Sequence, residues 1–295
     1  ITSINDVDKV GLPTITSDSL HVGDPAGAIN AVGTKNVIVG IRTGTKNTTG
    51  TRNTIVGVDS GNTLISGNDN SFYGQDSGNL ATGSGNVLMG SNTATTLGTG
   101  DLNTVIGKNS GKAITTMNKS TIIGSESVST SSGEINDAMV IGYDSAKNLN
   151  LATNSLDDII IGNESGNSLV SGVRNIVIGN DAAQILGTAT GSDDDNIMIG
   201  HESGMNVNTS KNVMIGTASG QYVSTGTDNT FVGYNTGKGL IGNTNNNSSK
   251  NVIIGTDSSP IIDSGSQNIV VGASAAQSLT SGSRNIILGS ESTTA

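Results

Sequence analysis

Nine carboxylates stand at one phase of a recurring glycine, two residues after it: Asp59, Asp76, Glu126, Asp144, Glu164, Asp181, Glu202, Asp257 and Glu291. A column of oxygen donors is what a hard cation would use, but calcium takes about six to eight oxygens and one carboxylate per repeat supplies too few. The GGxGxDxUx pattern of calcium-binding repeats is also missing. Charge that blunts and solvates a turn edge is the reading favoured here, with cation binding along the column as its alternative. A hydroxyl or methyl residue, such as Ser60, Ser77, Thr93, Ala182 or Ser258, recurs three residues after the same glycine. A serine nucleophile needs a base within hydrogen-bond reach, and the chain has only His21 and His201 to offer. A polysaccharide-cleaving site would need a carboxylate pair in a cleft, which the Asp193, Asp194, Asp195 cluster does not define. The chain is therefore expected to be no enzyme and to carry no catalytic, metal or cofactor site.

What positions these columns is a repeat. The glycine recurs at Gly40, Gly57, Gly74, Gly90, Gly107, Gly124, Gly142, Gly162, Gly179, Gly200, Gly216, Gly233, Gly255, Gly272 and Gly289. Eight of the fourteen spacings are 17 residues and the others run from 16 to 22, so extra residues enter as loops. That pattern predicts a solenoid of about fifteen coils over 36–295. Residues 1–35, with Pro13, Pro25 and short β-type runs at 14–16 and 20–22, lie outside it and are expected to cap the first coil or end a preceding module.

Composition agrees with a core assembled coil by coil. A chain of 295 residues with 42 Gly, two Phe, four Tyr and no Trp lacks the large side chains of two spherical cores. The same composition in a disordered tract would not hold apolar residues at fixed phase. A net charge of −10 argues against nucleic acid and anionic membranes as partners. No cysteine is present, so neither disulfides nor thiolate metal sites arise. No apolar run reaches the roughly 18 residues of a membrane-spanning helix. Ile1 in place of an initiator Met is expected of a fragment or processed chain.

The residues one and two before each glycine are apolar throughout, from Ile38 and Val39 to Ile287 and Leu288. Neighbours on a strand point to opposite faces, so both faces of this strand are expected to be buried. One solenoid has one interior. The second column, a stripe on the order of 70 Å long at about 4.8 Å per coil, then needs another chain to cover it. A further apolar column, seven after the glycine, includes Leu64, Leu97, Ile114, Leu149, Leu169, Leu186, Val207, Val223, Leu240, Ile262 and Leu279, and predicts a second strand closing each coil.

Four residues before the glycine stands Asn36, Asn53, Asn70, Asn86, Asn103, Asn175, Asn196, Asn212, Asn229, Asn251, Asn268 or Asn285, a column expected to stack as an amide ladder. Ser120, Ala138 and Asp158 interrupt it within 119–161, the least regular stretch and the candidate for a bent or loop-bearing segment. Half of the basic residues, including Arg52, Arg174 and Arg284, fall one residue earlier, and Asp69, Asp195 and other acids share that column. Inserts at 148–157, 187–195 and 239–250 hold the candidate recognition residues Asp193, Asp194, Asp195, Asn245, Asn246 and Asn247.

The unit read in NTIVGVDSG, NTVIGKNSG and NTFVGYNTG resembles the head repeats of YadA-like trimeric autotransporter adhesins and the related tracts of bacteriophage tail fibres, over about 36–295. The resemblance implies a left-handed parallel β-roll in a homotrimer. It implies a structural fibre at a virion or cell surface, with neighbouring fibre or virion proteins and a host-surface glycan or protein as partners. A tail-fibre segment is the first expectation and an adhesin head the second. An ice-binding solenoid is the remote one, since no column is uniformly Thr.

Overall fold

The computed structural model describes residues 14–16, 18–23, 33–130, 134–148, 157–168, 172–185, 194–240 and 247–292. The described residues contain strands, turns and bends and no helix. The chain divides into two units, Ile1–Asn136 and Asp137–Ala295, and their boundary falls inside the irregular 119–161 stretch. Each unit is a parallel β-solenoid, with about fourteen turns in all.

In the first unit β1 (Thr14–Thr16) and β2 (Ser19–Val22) form an antiparallel hairpin, and β2 pairs in parallel with β3 (Val37–Val39). The ladder continues through β4 (Thr54–Val56), β5 (Ser71–Tyr73), β6 (Val87–Met89) and β7 (Thr104–Ile106). A second, two-stranded sheet joins β8 (Thr116–Asn118) to β10 (Glu134–Asn136), while β9 (Thr121–Ile123) pairs with β7. The second unit stacks β11 (Met139–Ile141), β12 (Ile159–Ile161), β13 (Ile176–Ile178), β14 (Ile197–Ile199) and β15 (Val213–Ile215). It continues through β16 (Thr230–Val232), β17 (Val252–Ile254), β18 (Ile269–Val271) and β19 (Ile286–Leu288).

Every repeat strand is three residues long, and its middle residue faces the interior. Ile38, Ile55, Phe72, Ile160, Met198 and Phe231 are fully buried there. The flanking residues point outward: one chain encloses one face of its strands and leaves the other open. The second apolar column also faces inward, with Leu64, Leu97, Ile114, Val207, Val223 and Ile262 fully buried. Leu240 departs from it at 44 % exposed. Leu149, Leu169 and Leu186 lie outside the described residues. Among the described residues no member of this column lies in a strand; β8 and β10 are second strands of their coils, but they begin beyond the column's phase, with Met117 and Ile135 inward. The physical reason is the glycine-containing turn that follows within a few residues, as at Gly67 and Gly100, which bends the chain before a ladder can extend.

Besides the repeat glycine itself, three backbone positions per coil adopt positive φ. The residue two after the glycine does so in all fifteen coils, Asp59 at 56° and Glu202 at 55° among them. So does the residue five before it, as with Arg52 at 59° and Asp195 at 62°. The charged columns therefore occupy turn positions where the left-handed region is required and where Asp and Asn are the least penalised side chains. Their amides point along the axis: Asp59 N–H donates to Ile41 O at 3.0 Å, and Arg52 N–H to Thr34 O at 3.1 Å. The third position, four after the glycine, aims its Cβ at the interior. Glycine stands there beside the largest core residues, Gly78 by Phe72 and Gly237 by Phe231, whereas Ala183 and Ala276 accompany the smaller Val177 and Val270. The compensation is not uniform, since Gly111 stands in the coil of Val105 and Val128 in that of Ile122.

Candidate functional site

The columns that carry polar chemistry are turned inward or along the axis. In the Asn column most side chains bridge successive coils, although Asn175 Nδ2 finds no partner. Asn86 Nδ2 donates to Gly100 O at 2.7 Å and Asn70 Oδ1 at 3.2 Å, and its own Oδ1 accepts from Asn103 N at 3.0 Å and Asn103 Nδ2 at 2.9 Å. The same bonds run from Asn212 through Asn229, Asn251 and Asn268 to Asn285. At the other end Asn36 Oδ1 accepts from Asn53 N at 2.9 Å and Asn53 Oδ1 from Asn70 N at 2.9 Å, and beyond the breaks Asn196 Nδ2 donates to Asn175 Oδ1 at 3.1 Å. These amides are buried, Asn285 excepted by its place in the last coil. The hydroxyl column is equally enclosed: Ser77 Oγ donates to Leu88 O at 3.0 Å and Ser219 Oγ to Phe231 O at 3.1 Å. These serines are closed to any substrate.

Asp158 takes the Asn position in its coil and is fully buried. One oxygen accepts from Asn175 N–H at 2.6 Å, while the other has no partner. Desolvation pushes its pKa up to about 8, against the smaller opposing effect of the Asn175 hydrogen bonds. The sign follows from linkage. Below about pH 4 the carboxyl is neutral in both states, and as pH rises the unfolded chain ionises while the folded chain does not. Stability falls by about 1.4 kcal/mol per pH unit across that window and levels off above pH 8. Asp158→Asn, which supplies the column's usual amide, is expected to remove this slope. Thermal melts at pH 4, 6 and 8 should show the variant gaining on the wild type as pH rises; parallel curves would contradict the assignment.

The surface charges pair along the axis. Arg52 Nη2 meets Asp69 at 2.7 Å, Arg174 Nε meets Asp195 at 2.6 Å, and Arg42 pairs with Asp59. Their guanidinium partners hold Asp69, Asp195 and Asp59 below the usual carboxylate range. Exposed pairs of this kind add little to stability and are weakened by salt. Among the described residues no group of three or more His, Asp or Glu is placed to hold a metal ion.

Three of the candidate recognition residues are engaged with neighbouring coils. Asp194 Oδ1 accepts from Val173 N–H at 3.0 Å, and Asp195 forms the Arg174 pair. Asn247 Oδ1 accepts from the Thr225 hydroxyl. Asp193, Asn245 and Asn246 lie outside the described residues.

What the chain leaves open is the outer face of its strand ladder. In the second unit the first outer row reads Met139, Ile159, Ile176, Ile197, Val213, Thr230, Val252, Ile269 and Ile286. The second reads Ile141, Ile161, Ile178, Ile199, Ile215, Val232, Ile254, Val271 and Leu288. Met139 is 40 % exposed and Ile269 42 %, in a band that carries no charge. Of these, the pairwise apolar pattern exposes the second row to sequence reading. The first row is not legible in this way, because Thr, Val and Ile form strands equally well. Monomeric proteins seldom leave so continuous an apolar band in water. Among the described residues no helix is long and apolar enough to cross a membrane. Comparison with protein-family models, curated proteins and solved structures finds no match.

Proposed function

We propose that the chain is a structural fibre segment that assembles with copies of itself, as a homotrimer, and displays its turn loops toward a host or partner surface. The uncovered apolar band carries this reading. Its side chains ride on a rigid ladder with a spacing of about 4.8 Å per strand, so the partner that buries them in register must have the same axial period, as a second copy does. The YadA-like resemblance supports the trimer and a left-handed roll. A bacteriophage tail fibre is the favoured setting and the head of a bacterial adhesin the alternative. Repetition of each loop on every chain makes attachment multivalent, and avidity of this kind raises affinity by about 10²- to 10⁴-fold without new contacts.

Immunogold labelling with an antibody against the chain distinguishes the settings. Label on released virions is expected. Label on the bacterial envelope in their absence turns the reading to the adhesin, and label confined to the cell interior overturns both.

A further inference from the structure

We infer that the self-assembly face belongs to the second unit, with a second copy of this chain as its occupant, and that the corresponding face of the first unit stays in water. This rests on the self-assembling reading above. The same two outer rows exist in both units and differ in one respect. The first outer row of the second unit is apolar at Ile159, Ile176, Ile197 and Ile269, with Thr230 as its single hydroxyl. In the first unit that row carries hydroxyls at Thr54, Ser71, Thr104 and Thr121 and valine at Val37 and Val87 only, beside a second row that is apolar in both units.

Those four hydroxyls belong to residues at the water-facing side of the strands. Their strand neighbours Ile55, Phe72, Val105 and Ile122 are the ones turned inward. Burying a hydroxyl against an aliphatic face without a new partner is unfavourable, whereas burying Ile or Val is favourable. The two faces therefore have opposite preferences on contact with the same aliphatic partner.

Three further observations select a copy of the chain as occupant. A copy presents aliphatic rows of identical period, so Ile meets Ile or Val along the whole band. The rows of the second unit contain no charged residue, so the net charge of −10, carried at the turns, does not set like charges against each other in the contact. The eighteen side chains of the two rows expose on the order of 1,000 Å² in total, the size class of a stable protein interface per partner.

The full-length chain tests this with two double variants whose mass is read by light scattering. Ile176→Lys with Ile197→Lys alters outward residues of the second unit and is expected to yield the 29.5 kDa single chain with an unchanged far-ultraviolet circular dichroism spectrum. Thr104→Lys with Thr121→Lys, at the same row of the first unit, is expected to keep the wild-type mass. Should the first pair fail to fold, Ile176→Thr with Ile197→Thr writes the first unit's pattern into the second. It is then expected to raise the dissociation concentration at least tenfold. An assembled wild type whose mass is lost equally in the first-unit variant, or kept in both second-unit variants, overturns the inference alone. A monomeric wild type overturns it together with the reading on which it rests.

Discussion

Gly57→Ala is expected to destabilise the first unit by on the order of 4 kcal/mol or more, an effect at the upper end for a single methyl group. Gly57 sits at φ +151°, and a Cβ there would lie 2.1 Å from Gly74 O and 2.7 Å from Gly74 C. The obstacle is backbone. It is held in place on both sides, because Gly57 N–H donates to Val39 O at 2.9 Å and Gly74 N–H to Val56 O at 2.9 Å. Relief requires adjacent coils to separate, which breaks the ladder between β4 and β5. Gly289 supplies the internal control. It has φ +120° but nothing within 4 Å of a built Cβ, so Gly289→Ala is left with backbone strain alone, about 1 kcal/mol. Urea midpoints followed by circular dichroism measure both; a Gly57→Ala chain as stable as Gly289→Ala would contradict the close-approach account.

The second large effect is expected at Asn229, where Ala should cost on the order of 3–5 kcal/mol. Its Nδ2 donates to Ser248 O at 2.7 Å and Asn212 Oδ1 at 3.2 Å, and its Oδ1 accepts from Asn251 N at 3.1 Å and Asn251 Nδ2 at 3.2 Å. Truncation removes four hydrogen bonds in a site with no exposed surface. Asn212 Oδ1 keeps the Asn229 backbone N–H and Asn251 Nδ2 keeps Gly265 O, but the Asn251 N–H loses its acceptor, and an unmade buried hydrogen bond costs the full desolvation of the group. Ser at this phase is milder, as the natural break shows: Ser120 N–H still reaches Asn103 Oδ1 at 3.0 Å, and its hydroxyl bonds Asn118 O at 3.0 Å. Asn229→Ser is thus expected to fall between wild type and Asn229→Ala, and an Asn229→Ala chain within 1 kcal/mol of wild type would show that the ladder is incidental.

The repeat, its phase and its buried column are legible in the sequence because inward side chains must recur at fixed distances from the glycine. Ile38, Ile55 and Phe72 share one environment and so share one character. The Asn column is legible for the same reason. The charged columns are harder to read. Asp59 looks like a choice about solvent, but Asp is also among the side chains least penalised at the positive φ found there, and no periodicity distinguishes the two causes. A second strand in every coil was expected from the column that includes Leu64 and Leu97, yet burial there needs only an inward-pointing side chain in a turn. The outer rows expose the widest gap. Thr104 and Ile197 serve equally as strand residues, and only the parity of a three-residue strand, with its middle residue inward, reveals that the first outer row is rich in hydroxyls in one unit and aliphatic in the other.

The central claim is that the outer apolar band is covered by copies of the chain. Mass in solution by multi-angle light scattering tests it most directly. The account predicts a stable species near three times the 29.5 kDa chain, at concentrations well below those used for purification. A stable 29.5 kDa species would contradict it and leave the band as the working surface of a single-chain solenoid.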